Sequence, residues 1–311
     1  MKILLTGSSS FTGMWFAREL ARAGHEVTAT FRPQSVDAYS DGLRRSRVAI
    51  VAESCETEFG LAFGDDAFID LIRGGGDFDA LCHHGAEVTN YRSPDFDVSA
   101  AVRNNTHNVR QVMAALGESG ARRFVLTGSV FEGGEGAGSD GLPHFSPYGL
   151  SKALTAEVIR YRAREAGLGL GKFVIPNPFG PHEEPRFTAY LMRTWRQGET
   201  PAVNTPAYVR DNIHVSLLAG AYVRFVQTLP DAPGFRRLSP SGYVETQGAF
   251  AERFAREIGR RLDLDCPLIL NHQTEFPEPR VRLNTDLPCT RTLGWDESRA
   301  WDEVADYYRE G

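Results

Sequence analysis

A phenol and an ammonium four residues apart share one face of a helix, and Tyr148-Gly149-Leu150-Ser151-Lys152 offers that pair. At about 5 Å and an effective dielectric near 20, the ammonium stabilises a phenolate by about 3 kcal/mol, enough to bring a hydroxyl that ordinarily ionises near ~10 toward proton exchange at neutral pH. Burial of the phenolate works against this. The same pair arises by chance on ordinary helices, so its meaning depends on what stands beside it. Thr127 closes an apolar run that starts at Arg123, and as a strand end its hydroxyl is expected at the carboxyl edge of a sheet, beside the helix that bears Tyr148. There it can hydrogen-bond the same substrate oxygen and stabilise charge developing on it. Ser129 is the alternative for that role, and either residue can instead be a plain polar strand end.

The elements that would position these groups are legible as an alternation. Ile3-Leu4-Leu5 ends in Thr6-Gly7, a segment with Phe11, Trp15, Phe16 and Leu20 at helical spacing follows, and a run rich in β-formers spans 25–31. That is a β-α-β unit. Further strands are expected at 59–63, 80–82, 123–127 and 171–175, with helices at 98–116 and 148–166. The pattern predicts an α/β fold, a Rossmann doubly wound parallel sheet with helices on both faces. Pro176, Pro178, Pro181 and Pro185 mark a change in composition. We therefore expect a dinucleotide-binding domain over 1–175 with a return segment near 206–232. A smaller C-terminal α/β substrate lobe is expected from 176–205 and 233–311, covering the carboxyl ends of the strands. The glycine-rich stretch 132–141 is expected to be a mobile loop without regular structure.

Between the first strand and helix the chain reads T-G-S-S-S-F-T-G from Thr6 to Gly13. A helix start presents free N–H groups and a positive dipole end to a pyrophosphate if the backbone can come close, which Gly7, Ser8, Ser9, Ser10 and Gly13 permit. A glycine- and serine-rich turn that merely joins strand to helix is the plainer alternative. NAD sites place an acidic residue at the end of the second strand, whereas a 2′-phosphate wants a cation there. This chain has Arg32 and no Asp or Glu from Val27 to Arg32. The expected cofactor is NADP(H), with NAD as the alternative and Ser8 or Ser9 as further donors, unless Arg32 is simply a solvated strand-end residue. Asp65 or Asp66 is a candidate for the adenine amino group.

Composition narrows the classes. With 41% hydrophobic and 24% charged residues the chain is globular, and its net charge of −6 with no long basic run speaks against nucleic-acid binding. No apolar stretch is long enough to cross a bilayer, no secretory signal is legible, and Cys55, Cys82, Cys266 and Cys289 show no metal or disulfide spacing, so a cytoplasmic protein with reduced thiols and no membrane contact is expected. His83-His84 look metal-like in isolation, but adjacent strand residues face opposite ways and no third ligand has suitable spacing; no metal is expected. Trp15 and Phe16 read as core of the first helix, and Trp295 and Trp301 as packing of the second lobe.

Taken together, the chain resembles the extended short-chain dehydrogenase/reductases, specifically the NAD-dependent epimerase/dehydratase group acting on nucleotide-diphosphate sugars. The family pattern T-G-x-x-G-F-x-G maps to Thr6 through Gly13, and D-x-V-x-H-x-A-A to the segment from Asp79 to Ala86. A helix asparagine matches Asn105, S/T-x-x-V-Y-G matches 127–131, and Y-x-x-x-K matches Tyr148 and Lys152. N-x-x-G-P matches Asn177 to Pro181, and R-D-F-I-H-V matches Arg210 to Val215. The resemblance implies hydride transfer with Tyr148 as acid/base, Lys152 tuning it and fixing the nicotinamide ribose, and Thr127 polarising the sugar oxygen. It implies cofactor contacts from Gly7, Ser9, Ser10, Phe11, Gly13, Arg32, Asp65, Asn105, Tyr148 and Lys152. Ser129, Asn177 and Arg210 are implied on the substrate side, the latter two at the pyrophosphate of a small-molecule sugar nucleotide, and a homodimer through the helices at 98–116 and 148–166.

Departures from the pattern are informative. Ser10 replaces the central glycine of the fingerprint, Phe131 the usual tyrosine, and Pro176 precedes Asn177. Gly128 and Ser129 stand where sugar 4,6-dehydratases resemble T-D-E, so dehydration is not expected. The leading expectation is NADPH-dependent reduction of a 4-keto deoxysugar nucleotide. The alternatives are an epimerase with retained NAD(P) and a non-catalytic dinucleotide sensor.

Overall fold

The structure, a computed structural model, describes residues 1–40, 42–75, 77–138 and 141–310. In chain order its elements begin with β1 Lys2–Thr6, α1 Phe11–Arg22, β2 Glu26–Phe31, α2 Gly42–Ala52, β3 Glu56–Phe59, α3 Asp66–Gly75 and β4 Ala80–His83. They continue with α4 Val98–Asn105, α5 Val109–Glu118, β5 Arg123–Ser129, β6 Ala137–Gly138, α6 Pro147–Glu165, β7 Gly169–Ile175 and β8 Asn177–Phe179. The remainder are α7 Phe187–Arg196, β9 Ala202–Val203, β10 Val209–His214, α8 Val215–Thr228, β11 Gly234–Leu238, β12 Tyr243–Thr246, α9 Gln247–Leu262, β13 Ile269–Leu270, β14 Val281–Leu283, α10 Thr290–Leu293 and α11 Glu297–Glu310.

Contacts divide the chain into two units, the first made of 1–135, 143–175 and 221–238, the second of 136–142, 176–220 and 239–311. Unit 1 holds a seven-stranded sheet in the order β11-β7-β5-β4-β1-β2-β3, all parallel. The chain therefore reverses its direction of winding between β1 and β4, and the carboxyl ends of those two strands mark the place where an open parallel sheet takes a ligand. Ile3, Leu4, Leu5, Ala80 and Leu81 are wholly buried, as strands covered on both faces require. Phe68, Ile72, Val112, Leu116, Phe124 and Ile159 form one core of this unit, while Phe16 stacks on Tyr222 at 3.9 Å in another part of it. Each such side chain contributes roughly 1.5–3 kcal/mol on burial.

Unit 2 contains the β12-β10-β14-β6 ladder with β8 beside β10, the short β13-β9 pair, and a core of Phe179, Trp195, Phe250, Phe254 and Trp301. Trp301 packs as expected, while Trp295 is only half-buried and donates its Nε1–H to Ser216 Oγ at 2.9 Å. The segment that returns to unit 1 is 221–238, where the sequence led us to expect 206–232. The difference follows from strand pairing, since β10 joins the sheet of unit 2 and β11 extends the large sheet.

Three local expectations change. The third strand is Glu56–Phe59 and not 59–63, because the chain leaves the sheet at Gly60, which has φ +74. The helix expected over 98–116 is two helices: Thr106 donates its hydroxyl to Val102 O at 2.7 Å, and Asn108 turns left-handed with φ 45 while its amide bonds Gly64 O. The glycine-rich stretch is not a structureless loop over its described part, for Glu132 and Glu135 are buried and Ala137–Gly138 pairs antiparallel with β14. Ser139 and Asp140 of that stretch lie outside the described residues.

Candidate active site

The site in unit 1 is built where β1, β4 and β5 end side by side. Thr6 pairs with His83 and His83 with Leu126, so the residues just beyond them, Gly7, His84 and Thr127, become neighbours. Gly7 has φ +80, and a Cβ there would stand 2.6 Å from Gly85 N; one on Gly13 would stand 2.2 Å from Gly7 O. Both positions exclude any side chain. Ser10 is the N-cap of α1: its hydroxyl accepts from Gly13 N at 3.1 Å and donates to Gly7 O at 2.8 Å. Ser10 therefore supplies by side chain the closure that a glycine turn makes with backbone alone. The cradle fits the pyrophosphate of a dinucleotide, since it opens a twelve-residue helix whose first N–H groups lie beside residues too small to obstruct it. Ser9 is half-buried, Phe11 is buried, and Ser8 is fully buried, so Ser8 is not disposed to meet a solvent-facing phosphate.

Lys152 comes to the same strand end from α6. Ser146 caps that helix by accepting from Gly149 N at 3.3 Å, and Pro147 takes its first turn, where a missing N–H is harmless. This start puts Tyr148 on the first turn and Lys152 on the second. Gly149 presses against β5's continuation so closely that a Cβ would lie 2.1 Å from Phe131 O, and Phe131 stacks on Phe145 at 4.4 Å. Lys152 Nζ donates to Thr127 O at 2.6 Å. Burial lowers its pKa to about 8; the Glu132 carboxylate pulls it back up and the Lys172 ammonium pushes it further down. Tyr148 is half-buried, with its ring edge-on to Tyr91 at 5.4 Å and Phe96 at 6.1 Å.

Two groups that sequence reasoning did not place belong here. One is His84, read only as an improbable metal ligand: its Nδ1 lies 3.0 Å from Thr127 Oγ1, and its Nε2 lies 3.0 Å from Ser10 Oγ and 3.1 Å from Thr12 Oγ1. Burial, with the Lys152 charge behind it, pushes its pKa to about 3, so it is neutral. His83 is likewise neutral and structural, facing Thr6 Oγ1 at 2.9 Å and Asn105 O at 3.1 Å. The other is a buried charge cluster in which Lys172 Nζ meets Glu132 at 2.5 Å and Glu135 at 2.8 Å. Glu132 Oε1 also accepts from Ser129 N at 2.7 Å, and the Ser129 hydroxyl accepts from Phe131 N at 3.2 Å. The cluster explains Gly128: a Cβ there would be 2.8 Å from Lys172 Cε and 3.0 Å from Glu132 Oε1. A carboxylate does approach the place where dehydratases resemble an acidic pair, but both its oxygens are committed.

The remaining cofactor-side candidates are scattered in role. Arg32 is exposed just past β2. Burial opposes ionisation of Glu87, yet hydrogen bonds from Thr89 and the Arg32 charge hold its carboxyl below the ordinary range. Asp65 is exposed, 3.7 Å from His107 Nε2, and Asp66 begins α3. Asn105 is buried, its amide accepting from Glu87 N at 2.7 Å and donating to Thr155 Oγ1 at 3.3 Å. These bonds position the loop after β4.

In unit 2, Asn177 donates to Asp211 O at 3.3 Å. Arg210 lies over the Tyr208 ring, donates to Val209 O at 2.9 Å, and pairs with Glu278 at 2.8 Å. Any phosphate on this guanidinium competes with Glu278. Arg282 is its register partner on β14 and is itself buried.

Among the described residues no helix is long and apolar enough to cross a membrane. The family model for the NAD dependent epimerase/dehydratase family matches residues 3–235. Among solved structures the chain is similar to UDP-glucose 4-epimerase from Thermotoga maritima with UDP-glucose (TM-score 0.73, 18% identity, 100% of this chain and 99% of that one). It is similar to dTDP-glucose 4,6-dehydratase from Streptomyces venezuelae with NAD bound (0.72, 19%, 100% and 98%). UDP-glucuronic acid 4-epimerase from Bacillus cereus with UDP-glucuronic acid and NAD is similar to the same degree (0.73, 16%, 100% and 99%). No curated protein sequence matches. With the matched model covering most of the chain and the strand ends built as described, the protein belongs to the NAD dependent epimerase/dehydratase family.

Proposed function

We propose that the protein interconverts the hydroxyl and keto forms of a ring carbon in a nucleotide-linked sugar, as an epimerase that oxidises a carbinol and returns the hydride to the opposite face. The observation that carries this reading is the 2.6 Å hydrogen bond from Lys152 Nζ to Thr127 O, which ties the helix of Tyr148 to the strand end of Thr127. When bound, the nicotinamide accepts and returns the hydride. Tyr148 takes the hydroxyl proton and gives it back, and the Lys152 ammonium one turn away favours the phenolate that does so. Gly7, Ser9, Ser10, Phe11 and Gly13 hold the cofactor's pyrophosphate, and Asp65 its adenine. Asn177 and Arg210 hold the sugar nucleotide's pyrophosphate after Glu278 gives way. Dehydration is disfavoured because Glu132 is locked to Lys172 and to Ser129 N.

The cofactor proposed is NADP(H), on the exposed Arg32 and the absence of a carboxylate from Val27 to Arg32. The same residue favours a second reading, net reduction of a 4-keto deoxysugar nucleotide by an exchangeable NADPH. Leu154 and Tyr161, 44% and 49% exposed and seven residues apart on α6, support a homodimer through that face. The test is incubation with UDP-glucose, UDP-glucuronic acid and dTDP-glucose, and with a 4-keto-6-deoxy sugar nucleotide, with NAD or NADP, followed by NMR of the products. An epimer formed without net change in reduced cofactor is the expected result. NADPH consumption with the keto sugar selects reduction, and cofactor binding with no turnover of any of the four leaves only a dinucleotide-binding protein.

A further inference from the structure

His214 ends β10, and its side chain caps α8, which starts at Val215. The backbone N–H of Ser216 donates to its Nδ1 at 3.2 Å, one of the N–H groups that a helix start leaves without a partner inside the helix. A backbone N–H can only donate, so Nδ1 is bare. The Ser216 hydroxyl accepts from Trp295 Nε1–H at 2.9 Å and lies 2.7 Å from the same Nδ1, able to send its own hydrogen there. Burial pushes the pKa of the ring to about 3, so it is neutral and its one hydrogen is on Nε2. That N–H is sealed inside unit 2 with no acceptor among the described residues. Phe179, opposite His214 in the β8–β10 pairing, sets its ring perpendicular to the imidazole at 5.4 Å and offers only a π face, a weaker partner than a carbonyl.

Nε2 faces Gly180: a Cβ there would stand 3.3 Å from it and 2.9 Å from Val215 Cγ1. Gly180 has φ +136 and His182 φ +66, so the chain leaves β8 through two left-handed residues, the second without glycine's freedom. The Gly180 carbonyl is engaged elsewhere, accepting from Glu183 N at 3.2 Å. Glu183 is buried in turn, its Oε1 accepting from the Thr188 hydroxyl and, at 3.2 Å, from Tyr308 OH on α11. The segment 180–186 is thus anchored at Glu183 in a strained course, while beside Gly180 a buried donor goes unanswered. Such a donor opposes this position of the segment and favours any other that brings it a carbonyl.

We infer that the segment 180–186 is a strap with two positions and that His214 is the positioning residue of the second, in which its Nε2–H takes the Gly180 carbonyl from Glu183 N. The exchange frees the Glu183 N–H, a donor for a phosphate oxygen. Asn177, three residues before Gly180, is placed at the pyrophosphate of the sugar nucleotide, so the identity of the ligand that selects the second position rests on the proposed function. A ligand that answers the freed N–H binds this position more tightly than the first, which is what a population shift requires.

The test uses the full chain labelled with 15N, first without ligand. His214 shows the tautomer with Nε2 protonated, and the amides of Gly180 to Glu184 show millisecond exchange in relaxation dispersion that His214→Asn removes. An Nδ1-protonated ring, an imidazolium, or strap amides without exchange in the wild type overturns the inference, whatever the enzyme acts on. Binding of UDP-glucose, UDP-glucuronic acid and dTDP-glucose then separates positioning from capping. His214→Asn keeps an acceptor for Ser216 N and lacks the Nε2 donor, so it melts near the wild type while the tightest of these ligands binds about 10-fold more weakly. His214→Gln carries a donor near the Nε2 position and lacks the cap, so it melts lower yet binds that ligand within about 3-fold of the wild type. Affinity that follows melting temperature across the two variants reduces His214 to a helix cap and overturns the inference. If none of these sugar nucleotides binds, the proposed function fails and the exchange data alone decide on the strap.

Discussion

Lys152 on α6 and Lys172 on β7 both bury an ammonium near the end of β5, and their surroundings differ in what answers the charge. Lys172 has two carboxylates, Glu132 at 2.5 Å and Glu135 at 2.8 Å, with Arg237 as a further partner of Glu135 at 3.3 Å. Burial opposes its charge, yet the two carboxylates raise its pKa above the ordinary value. Lys152 has a backbone carbonyl instead, and burial brings it down to about 8. One cluster is a closed, paired structure that fixes the chain after β5. The other is an under-compensated charge, which stabilises any anion brought to it and is disposed to titrate. A buried cation is structural where its counter-ions are built in, and functional where its counter-ion is left to the chemistry.

Replacing either lysine by methionine breaks the comparison in opposite directions. Lys172→Met strands two buried carboxylates and is expected to lose about 3–5 kcal/mol of stability in thermal or urea unfolding. Adding Glu132→Gln and Glu135→Gln recovers most of it. A loss below 1 kcal/mol would mean that the cluster is not paired in solution. Lys152→Met removes turnover by about 100-fold or more, yet it is expected to gain about 1 kcal/mol at pH 7, since the buried ammonium it removes is disfavoured by more than its hydrogen bond to Thr127 O returns.

The pH dependence sharpens the same point. Because the Lys152 pKa is lowered on folding to about 8 from 10.5, the unfolded chain binds more protons between those values. Stability of the wild type relative to Lys152→Met therefore rises with pH from about 8 to 10.5 and is flat below 8. Denaturation midpoints across that range check this, and a falling difference contradicts it. A further effect is expected at the cofactor: Arg32→Ala weakens NADP binding about 10-fold, roughly 1.4 kcal/mol, with NAD binding unchanged. Equal weakening of both would remove Arg32 from the 2′-phosphate.

What was legible in the sequence followed from local spacing. Gly7 and Gly13 stand at a strand-to-helix turn, Tyr148 and Lys152 lie one turn apart, and the apolar runs of β1, β4 and β5 are those of strands buried on both faces, so the sheet and the main constellation were readable. What was missed depends on strand register. His84 reaches Thr127 only because β4 lies beside β5, and Lys172 fills the space at Gly128 only because β7 lies on the other side. No periodicity reports either adjacency. Glu278 meets Arg210 across sixty-eight residues and was equally hidden. The break after Asn105 and the early end of β3 turn on single left-handed residues, Asn108 and Gly60, that pattern alone does not fix.

The proposed chemistry depends on proton exchange by Tyr148 beside Lys152. The direct measurement is the single-turnover rate of reduced-nicotinamide formation on adding the active sugar nucleotide to cofactor-loaded protein, wild type against Tyr148→Phe. A fall of about 100-fold or more with unchanged cofactor affinity is predicted; equal rates in the two proteins would contradict the role assigned to the phenol.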